Sequence, residues 1–160
     1  QARCYAKEYP IKVAIARPYN LYGPRDDFDW ETSHVIAALV RKTVERQDPL
    51  VVWGDGRQTR SFLYVEDCVE GLLRILERHP EPDPVNLGSN EEITIGDLVG
   101  LVHELCGSKA QIAFDKSKPS GQPRRNGNFT KAHEKLGFVA AVSLREGLKR
   151  TIAWYREHGR

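Results

Sequence analysis

Four polar clusters in this sequence contain residues that could bind or transform a ligand. The first, RPYNLYGPRDDFD at residues 17–29, follows an apolar run and combines prolines, tyrosines, one asparagine and several aspartates. Pro18 restricts the backbone, and the Asn20 amide can both donate and accept hydrogen bonds. The segment therefore predicts either a loop that contacts a ligand or a Gly-Pro turn whose shape a buried Asn20 maintains.

Two further clusters contribute arginines. Arg60 begins a short apolar segment after the turn GDGRQ, an ordinary hairpin signal, and Arg124 and Arg125 lie in a loop rich in Gly and Pro at residues 116–128. A planar guanidinium binds phosphate or carboxylate through two parallel hydrogen bonds, so all three side chains are candidates for holding an anionic ligand. An exposed edge-strand arginine and a solvated basic loop are the alternatives.

The fourth cluster contains His34, which follows the aspartates of the first loop at the start of a predicted helix. An imidazole titrates near neutral pH and could donate a proton to a substrate, although the residues alone favour a capping or packing histidine at this position. The other histidines show no metal-ligand spacing, and the sequence predicts no metal site. They are His79, His103, His133 and His158.

Composition restricts the classes of function. The chain has 160 residues, 40% hydrophobic and 29% charged, which suits one globular domain. A net charge of +2 gives no indication of nucleic-acid or membrane-surface binding, and no apolar run approaches the ~18 residues of a membrane span. The cysteines, Cys4, Cys68 and Cys106, are odd in number and form no C-x-x-C pair, which predicts free thiols in a cytoplasmic protein.

The elements that must position these clusters follow from hydrophobic periodicity. The pattern predicts helices at residues 1–9, 31–46, 66–79, 130–138 and 143–159, and a short strand leading into a helix at 93–107. It predicts strands at residues 11–17, 50–54, 60–65, 85–88 and 111–115. The alternation of strands and helices indicates an α/β fold.

The run IKVAIAR at residues 11–17 is continuous and rich in β-branched residues, which predicts a parallel strand buried on both faces. Ligands of open α/β sheets bind beyond the carboxyl ends of such strands, where the first polar cluster begins. Thr32 or Ser33 is the predicted cap of the second helix, and Ser143 with Glu146 forms a predicted capping box.

The start of the chain has no helix start signal. Gln1 opens the sequence, the composition includes no Met, and QARCYAKEYP has the pattern of the end of a helix. We therefore expect a piece of a longer protein, with a processed or tagged N-terminus as the alternative.

Taken in order, the clusters are more specific than any one of them. They comprise R-P-x-N-L-Y-G-P, D-x-F, S-H-V-I-x-A-L, W-G-x-G-x-x-x-R-x-F-x-Y-V-x-D, K-P-x-G-x-P-R-R and L-G-F. Over nearly all of its length the chain resembles the C-terminal half of the extended short-chain dehydrogenases, the family of nucleotide-sugar epimerases and dehydratases. Within that family the motifs are most similar to those of GDP-L-fucose synthases.

This resemblance implies a fold and its division. The chain would comprise a C-terminal substrate-binding lobe and the last part of a Rossmann-type parallel sheet. Residues 1–30 would end the Rossmann-type part, and residues 31–160 would be mostly substrate lobe, with residues 66–88 returning to the sheet. The enzymes of the family use NAD or NADP and bind a nucleotide-diphosphate sugar.

The resemblance also implies roles for single residues. Pro18 and Tyr19 would lie near the nicotinamide, and Asn20 would touch the substrate. Arg60, and from the far side Arg124 or Arg125, would pair with the diphosphate, while Lys42 would add charge and His34 would act as the acid of an epimerisation.

Two departures from the family pattern are visible. The sequence contains neither the G-x-x-G-x-x-G phosphate loop nor the catalytic Tyr-x-x-x-Lys, so we expect this chain alone to be inactive. Asn128 stands where the family usually has Asp, which puts the cap of the helix at 130–138 in doubt. The alternative function is a non-catalytic nucleotide-sugar-binding or interaction module, and an apolar strand edge would favour a homodimer or self-association.

Overall fold

The structure, a computed structural model, describes residues 1–159 and confirms an α/β fold. Its helices are Ala2–Glu8 (α1), Val35–Val44 (α2), Val65–Arg78 (α3), Ile95–Cys106 (α4), Thr130–Leu136 (α5) and Leu144–His158 (α6). Its strands are Ala16–Pro18 (β1), Leu21–Tyr22 (β2), Leu50–Trp53 (β3), Thr59–Ser61 (β4), Leu63–Tyr64 (β5), Val85–Leu87 (β6), Glu92–Thr94 (β7), Ile112–Asp115 (β8) and Arg124–Arg125 (β9).

The strands form small sheets that are mostly parallel. Three parallel pairs join β1 to β6, β2 to β5 and β3 to β8, and a three-stranded sheet has the order β7–β4–β9. In that sheet β4 runs antiparallel to β7 and parallel to β9. Polar loops follow both β1 and β9, so this small sheet and the β1–β6 pair position the first and third clusters of the sequence.

The prediction of a strand over residues 11–17, buried on both faces, was wrong in its extent. Only Ala16–Pro18 is a strand, and Ile11 is 47% exposed. The reason is that β6, the only strand that pairs with β1 among residues 1–159, is three residues long. Before Ala16 it contributes one bond, from the Val85 amide to the Ile15 carbonyl at 2.9 Å. The parallel direction was predicted correctly.

Two hydrophobic clusters form the core. The larger lies between α2, α4 and α6 and includes Ile36, Leu39, Val40, Leu98, Val99, Val102, Leu148 and Ile152. The smaller lies between α3, α5 and β6 and consists of Leu63, Cys68, Ile75, Val85, Leu87, Ala132, Leu136 and Phe138. The smaller cluster fixes β6 and α5, whose flanking loops border the candidate site.

The start of α6 and the end of α4 follow the local chemistry of their sequences. The Ser143 hydroxyl accepts a hydrogen bond from the Glu146 amide at 3.3 Å, and α4 ends at Gly107 in the left-handed conformation with φ 65°. The prediction of a Thr32 or Ser33 cap on α2 was wrong. The helix begins one residue after His34, because the Thr32 hydroxyl is already bonded to the Asp27 carboxylate.

The turn at residues 54–58 does not form the hairpin that its composition indicated. Gly54 and Gly56 have φ of 85° and 77°, as a tight turn requires. However, β3 pairs with β8, while β4 pairs with β7 and β9. The Gly56 carbonyl accepts from the Gly96 amide, so the turn carries the chain from one sheet to the next.

Within residues 1–159 no helix is both long and apolar enough to cross a membrane. The three cysteines are free thiols, with Cys68 buried and Cys4 exposed.

One helix carries an apolar stripe on its outer face. Val69, Leu72, Leu73 and Leu76 of α3 are 39% to 62% exposed, at the i, i+3, i+4, i+7 spacing of a helix-packing face. The opposite face of the same helix already packs in the smaller core cluster through Cys68 and Ile75. A contiguous exposed apolar face of this kind is typical of an interaction surface.

We expect the chain to self-associate through this stripe. Leu76→Glu should shift the population toward monomer in gel filtration with light scattering, because a charge cannot be buried unpaired in an apolar contact. Val139→Glu is the matched control, since Val139 is 63% exposed, compared with 62% for Leu76, and lies outside α3. A monomer in the unsubstituted chain at high concentration, or an equal effect of both substitutions, would contradict the prediction.

Candidate functional site

A polar pocket of about 350 Å³ lies beyond the carboxyl end of β1. It brings together two of the four sequence clusters, the loop after β1 and the basic loop at residues 116–128. The lining residues are Pro18, Tyr19, Gln122, Arg124, Arg125 and Asn126. Four of them were predicted from the sequence; Gln122 and Asn126 were missed because neither belongs to a motif with recognisable chemistry.

Close backbone packing sets one wall of the pocket. The Tyr19 ring meets the Phe129 ring edge-on, with centroids 5.4 Å apart. A Cβ at Gly127 would come within 2.6 Å of Phe129 and 3.0 Å of Tyr19, so only glycine leaves room for this aromatic pair. The pair fixes the Tyr19 ring against the start of α5.

Asn20 has a structural role in these contacts. Its backbone φ is 41°, and its side-chain amide donates to the Ser61 carbonyl at 2.7 Å. The Asn20 carbonyl in turn accepts from the Leu63 amide at 3.1 Å. These bonds join the loop after β1 to the β4–β5 segment, as the alternative of a shape-holding asparagine anticipated.

Arg60 and Arg125 occupy directly paired positions on β4 and β9. Because side chains alternate along a strand, paired positions place both on the same face of the sheet. Neither lies within 4.0 Å of a carboxylate among residues 1–159, and the pKa of Arg60 is lowered by burial and by the charge of Arg125. Like charges on directly paired residues are unfavourable, so an anion bound between the two guanidinium groups would stabilise this arrangement.

Arg124 is held differently from its neighbour. Its Nε and terminal nitrogen donate to the two carboxylate oxygens of Glu92 at 2.8 and 2.7 Å. These bonds, with those from Thr59 and Asn126, lower the pKa of Glu92 to about 2. Arg124 therefore already has a bidentate anionic partner within the chain, whereas Arg60 and Arg125 do not.

Lys42 lies on α2, and His34 immediately precedes that helix. Neither residue forms a described hydrogen bond with Arg60, Arg124 or Arg125. The Lys42 ammonium donates to the Val51 carbonyl at 3.1 Å, and burial lowers its pKa. His34 is exposed immediately before α2, near Asp26 and Asp27. Burial raises the pKa of Asp26, whereas the hydrogen bond from the Thr32 hydroxyl lowers the pKa of Asp27. The catalytic role of His34 and the substrate role of Lys42 stay predictions.

Trp53 is a further exposed aromatic that the sequence reasoning did not select. It ends β3 with 57% of its surface exposed, and the Lys118 ammonium lies 5.7 Å above its ring. A Cβ at Gly54 would meet Ser120 at 2.9 Å, and one at Gly121 would meet Arg60 at 3.5 Å. The basic loop thus runs from beside Trp53 to beside Arg60. The available signal in the sequence was a tryptophan at the end of a predicted strand, directly before the Gly-Asp-Gly turn.

The remaining doubt about α5 is resolved by Asn128. Its side-chain oxygen accepts from the Thr130 amide at 2.9 Å, so asparagine serves at this position as an aspartate would. Within residues 1–159 no group of three or more His, Cys, Asp or Glu could hold a metal ion.

Comparison with known proteins gives consistent matches. A sequence model of the NAD dependent epimerase/dehydratase family matches residues 1–88. The probable GDP-L-fucose synthase 1 of Oryza sativa subsp. japonica is 37% identical over 160 residues, covering 98% of this chain and 48% of that protein. The chain thus spans about half the length of the curated relatives it matches.

Solved structures match over the same extent. UDP-glucose 4-epimerase of Thermotoga maritima, solved with UDP-glucose, has a TM-score of 0.89 at 30% identity, covering 98% of this chain and 50% of that one. UDP-glucuronic acid 4-epimerase of Bacillus cereus, solved with UDP-glucuronic acid and NAD, has a TM-score of 0.84 at 29% identity, covering 98% and 49%.

The Glu92 network predicts a specific pH dependence of stability. A carboxyl whose folded pKa is about 2, below its ordinary 4.5, stabilises the fold fully above pH 4.5 and progressively less as the pH falls toward 2. Glu92→Gln should therefore lower the melting temperature at neutral pH by a few degrees, and the difference from the unsubstituted chain should disappear in acid.

Thermal unfolding followed by circular dichroism from about pH 7 to about pH 2 measures this difference. Glu104→Gln, which removes an exposed carboxylate paired with Arg145 between α4 and α6, is the control. A melting difference for Glu92→Gln that is unchanged at the acid end would show that its carboxylate is not the stabilising group.

Proposed function

Because the chain belongs to the NAD dependent epimerase/dehydratase family, we propose that it forms the nucleotide-sugar-binding portion of an NAD- or NADP-dependent sugar-nucleotide epimerase, reductase or dehydratase. Relatives and matching structures named for GDP-, dTDP- and UDP-linked sugars support a nucleotide-diphosphate sugar as the ligand. We also expect a cytoplasmic location, as the free cysteines indicate.

The observation that carries this proposal is the unpaired arginine pair. Arg60 and Arg125 present two guanidinium groups on one face of the β4–β9 pair, and the neighbouring pocket is lined by polar groups. A diphosphate offers two adjacent anionic groups, each of which a guanidinium can bind in a bidentate manner. Bound between the two arginines, it would relieve their mutual repulsion.

Trp53 extends the proposed site toward the nucleotide. Its exposed ring stands at one end of the basic loop whose other end approaches Arg60. A base stacked on this ring would gain contact area without requiring a specific hydrogen bond. The sugar would then lie toward Tyr19 and Asn126, at the opposite side of the arginine pair.

The residues present fit one part of a nicotinamide cofactor site. Pro18 ends a parallel strand and Tyr19 follows it, at the position where ligands of such sheets bind, and both line the pocket. When bound, NAD or NADP supplies the hydride transfer of this family. This chain would contribute an aromatic wall, would hold the diphosphate of the substrate and would exclude water from that side.

His34 is the proposed proton donor of this portion. It is exposed near Asp26 and Asp27, and an imidazole in such a position can donate a proton to a substrate. Lys42 is the proposed contributor of additional positive charge. Its ammonium donates a hydrogen bond to the Val51 carbonyl in this structure.

A second candidate is a binding module without catalysis. The observation that favours it is that the proposed diphosphate site needs only residues of this chain, Arg60 and Arg125. Both candidates share the same diphosphate site. They differ in turnover: the binding module would hold a nucleotide sugar without oxidising, reducing or epimerising it in the presence of NAD or NADP.

The diphosphate site predicts the effect of two substitutions. Arg60→Gln and Arg125→Gln should each weaken the binding of a nucleotide sugar by more than about tenfold, because each removes a charge-assisted bidentate contact. Isothermal titration calorimetry with GDP-L-fucose and with UDP-glucose measures this loss. Arg57→Gln is the matched control, since Arg57 lies on the adjoining turn with its side chain 90% exposed.

Equal binding by all three variants and the unsubstituted chain would exclude the arginine pair as the diphosphate site. A loss that is as large for Arg57→Gln would indicate a nonspecific effect of net charge and would contradict the proposal as well.

A further inference from the structure

Glu92 connects the two outer strands of the three-stranded sheet. It lies on β7, yet its carboxylate binds Arg124 of β9 through two hydrogen bonds of 2.8 and 2.7 Å. The same carboxylate accepts a hydrogen bond from the Thr59 hydroxyl of the central strand β4. It accepts another from the Asn126 side-chain amide at 3.3 Å. One side chain therefore spans all three strands.

The strand that Glu92 holds has few other attachments. β9 is only two residues long and pairs with β4 at Thr59 and Arg60 alone. One adjoining backbone bond, from the Thr59 amide to the Pro123 carbonyl at 2.8 Å, extends this pairing by a single residue. A pairing this short is weakly specified by its ladder, so side-chain bonds decide its register.

The ion pair between Glu92 and Arg124 also determines how much positive charge in the pocket lining has no carboxylate partner. Arg124 lines the pocket beside Arg125, but the Glu92 carboxylate neutralises it. The guanidinium group of Arg125 remains uncompensated in the lining, and that of Arg60 lies outside the lining at the paired position on β4. A nucleotide sugar carries one negative charge on each of its two phosphates, whereas a free nucleoside diphosphate carries about three charges in total.

We propose that Glu92 is a positioning and specificity residue of the diphosphate site. It holds Arg124 across β4, and thereby keeps β9 in the register that sets Arg125 opposite Arg60. By neutralising Arg124 it also matches the charge of the pocket to a doubly esterified diphosphate, the group in a nucleotide sugar, rather than to a terminal phosphate. This inference rests on the proposed function. It adds that Glu92 favours the binding of a nucleotide sugar over a free nucleoside diphosphate.

Calorimetry with two ligand pairs tests the inference, GDP-L-fucose against GDP and UDP-glucose against UDP. Glu92→Gln should weaken the binding of the nucleotide sugar by about tenfold, the size of loss typical when a supporting hydrogen bond of a binding group is removed. It should also raise the relative affinity for the free diphosphate at least threefold, roughly the gain expected from one added uncompensated charge at the surface.

Two variants separate position from charge. Arg124→Gln removes the same bridge without freeing a cation, so it should weaken nucleotide-sugar binding equally and leave the ratio of the two affinities unchanged. Glu92→Asp retains the carboxylate and should stay closer to the unsubstituted chain than Glu92→Gln in both affinity and ratio. Glu104→Gln, at an exposed ion pair between helices, is the control.

The outcomes distinguish this inference from the function on which it rests. If the unsubstituted chain binds none of the four ligands, the proposed function fails and the inference fails with it. If Arg125→Gln weakens binding while Glu92→Gln changes neither affinity nor ratio, the diphosphate site stands and the role of Glu92 is excluded. An equal loss for both ligands of each pair in Glu92→Gln would exclude the selection of ligands by charge.

Discussion

Repulsion between two guanidinium groups on neighbouring strands is the constraint on which the candidate site depends. Arg60 and Arg125 are held at paired positions by the β4–β9 ladder, which keeps both side chains on one face of the sheet. Arg60 is partly buried, and this burial together with the charge of Arg125 lowers its pKa. Since no carboxylate within residues 1–159 compensates them, the fold retains an unfavourable pair that an anion would stabilise.

The surrounding structure keeps this pair in place through short connections. Asn20 bonds to the Ser61 carbonyl beside Arg60, and the Ser61 hydroxyl donates to the Asn126 side chain at 2.7 Å, one residue after Arg125. The loop after β1 and the basic loop are thus tied through the same strand. Glu92 completes the arrangement from the other side of that strand. Any displacement of β4 would therefore move both sides of the pocket together.

Much of this could be predicted from the sequence because the signals were local. The α/β class followed from hydrophobic periodicity, and the ends of α4 and α5 followed from Gly107 and Gly137, both in the left-handed conformation. The resemblance to a family placed Tyr19 and Arg125 in one site, and the structure brings both to one pocket.

What could not be predicted depends on contacts between residues far apart in the chain. Glu92 and Arg124 are separated by 32 positions, and nothing in either segment indicates that their side chains form an ion pair. The strand at residues 11–17 was predicted too long because a continuous apolar run gives no information on how many partner strands are available. The hairpin at Gly54 and Gly56 was wrong for a similar reason, since a tight turn does not determine which strands pair.

The central claim is that an anionic diphosphate binds between Arg60 and Arg125 while Arg124 stays on Glu92. Nuclear magnetic resonance of the arginine side-chain Nε–H groups during titration with a nucleotide sugar tests it directly, with each signal assigned from an Arg→Lys variant. The account predicts saturable shifts of the Arg60 and Arg125 signals and little change at Arg124. Shifts confined to Arg124, or no saturable shift at either of the other two, would contradict it.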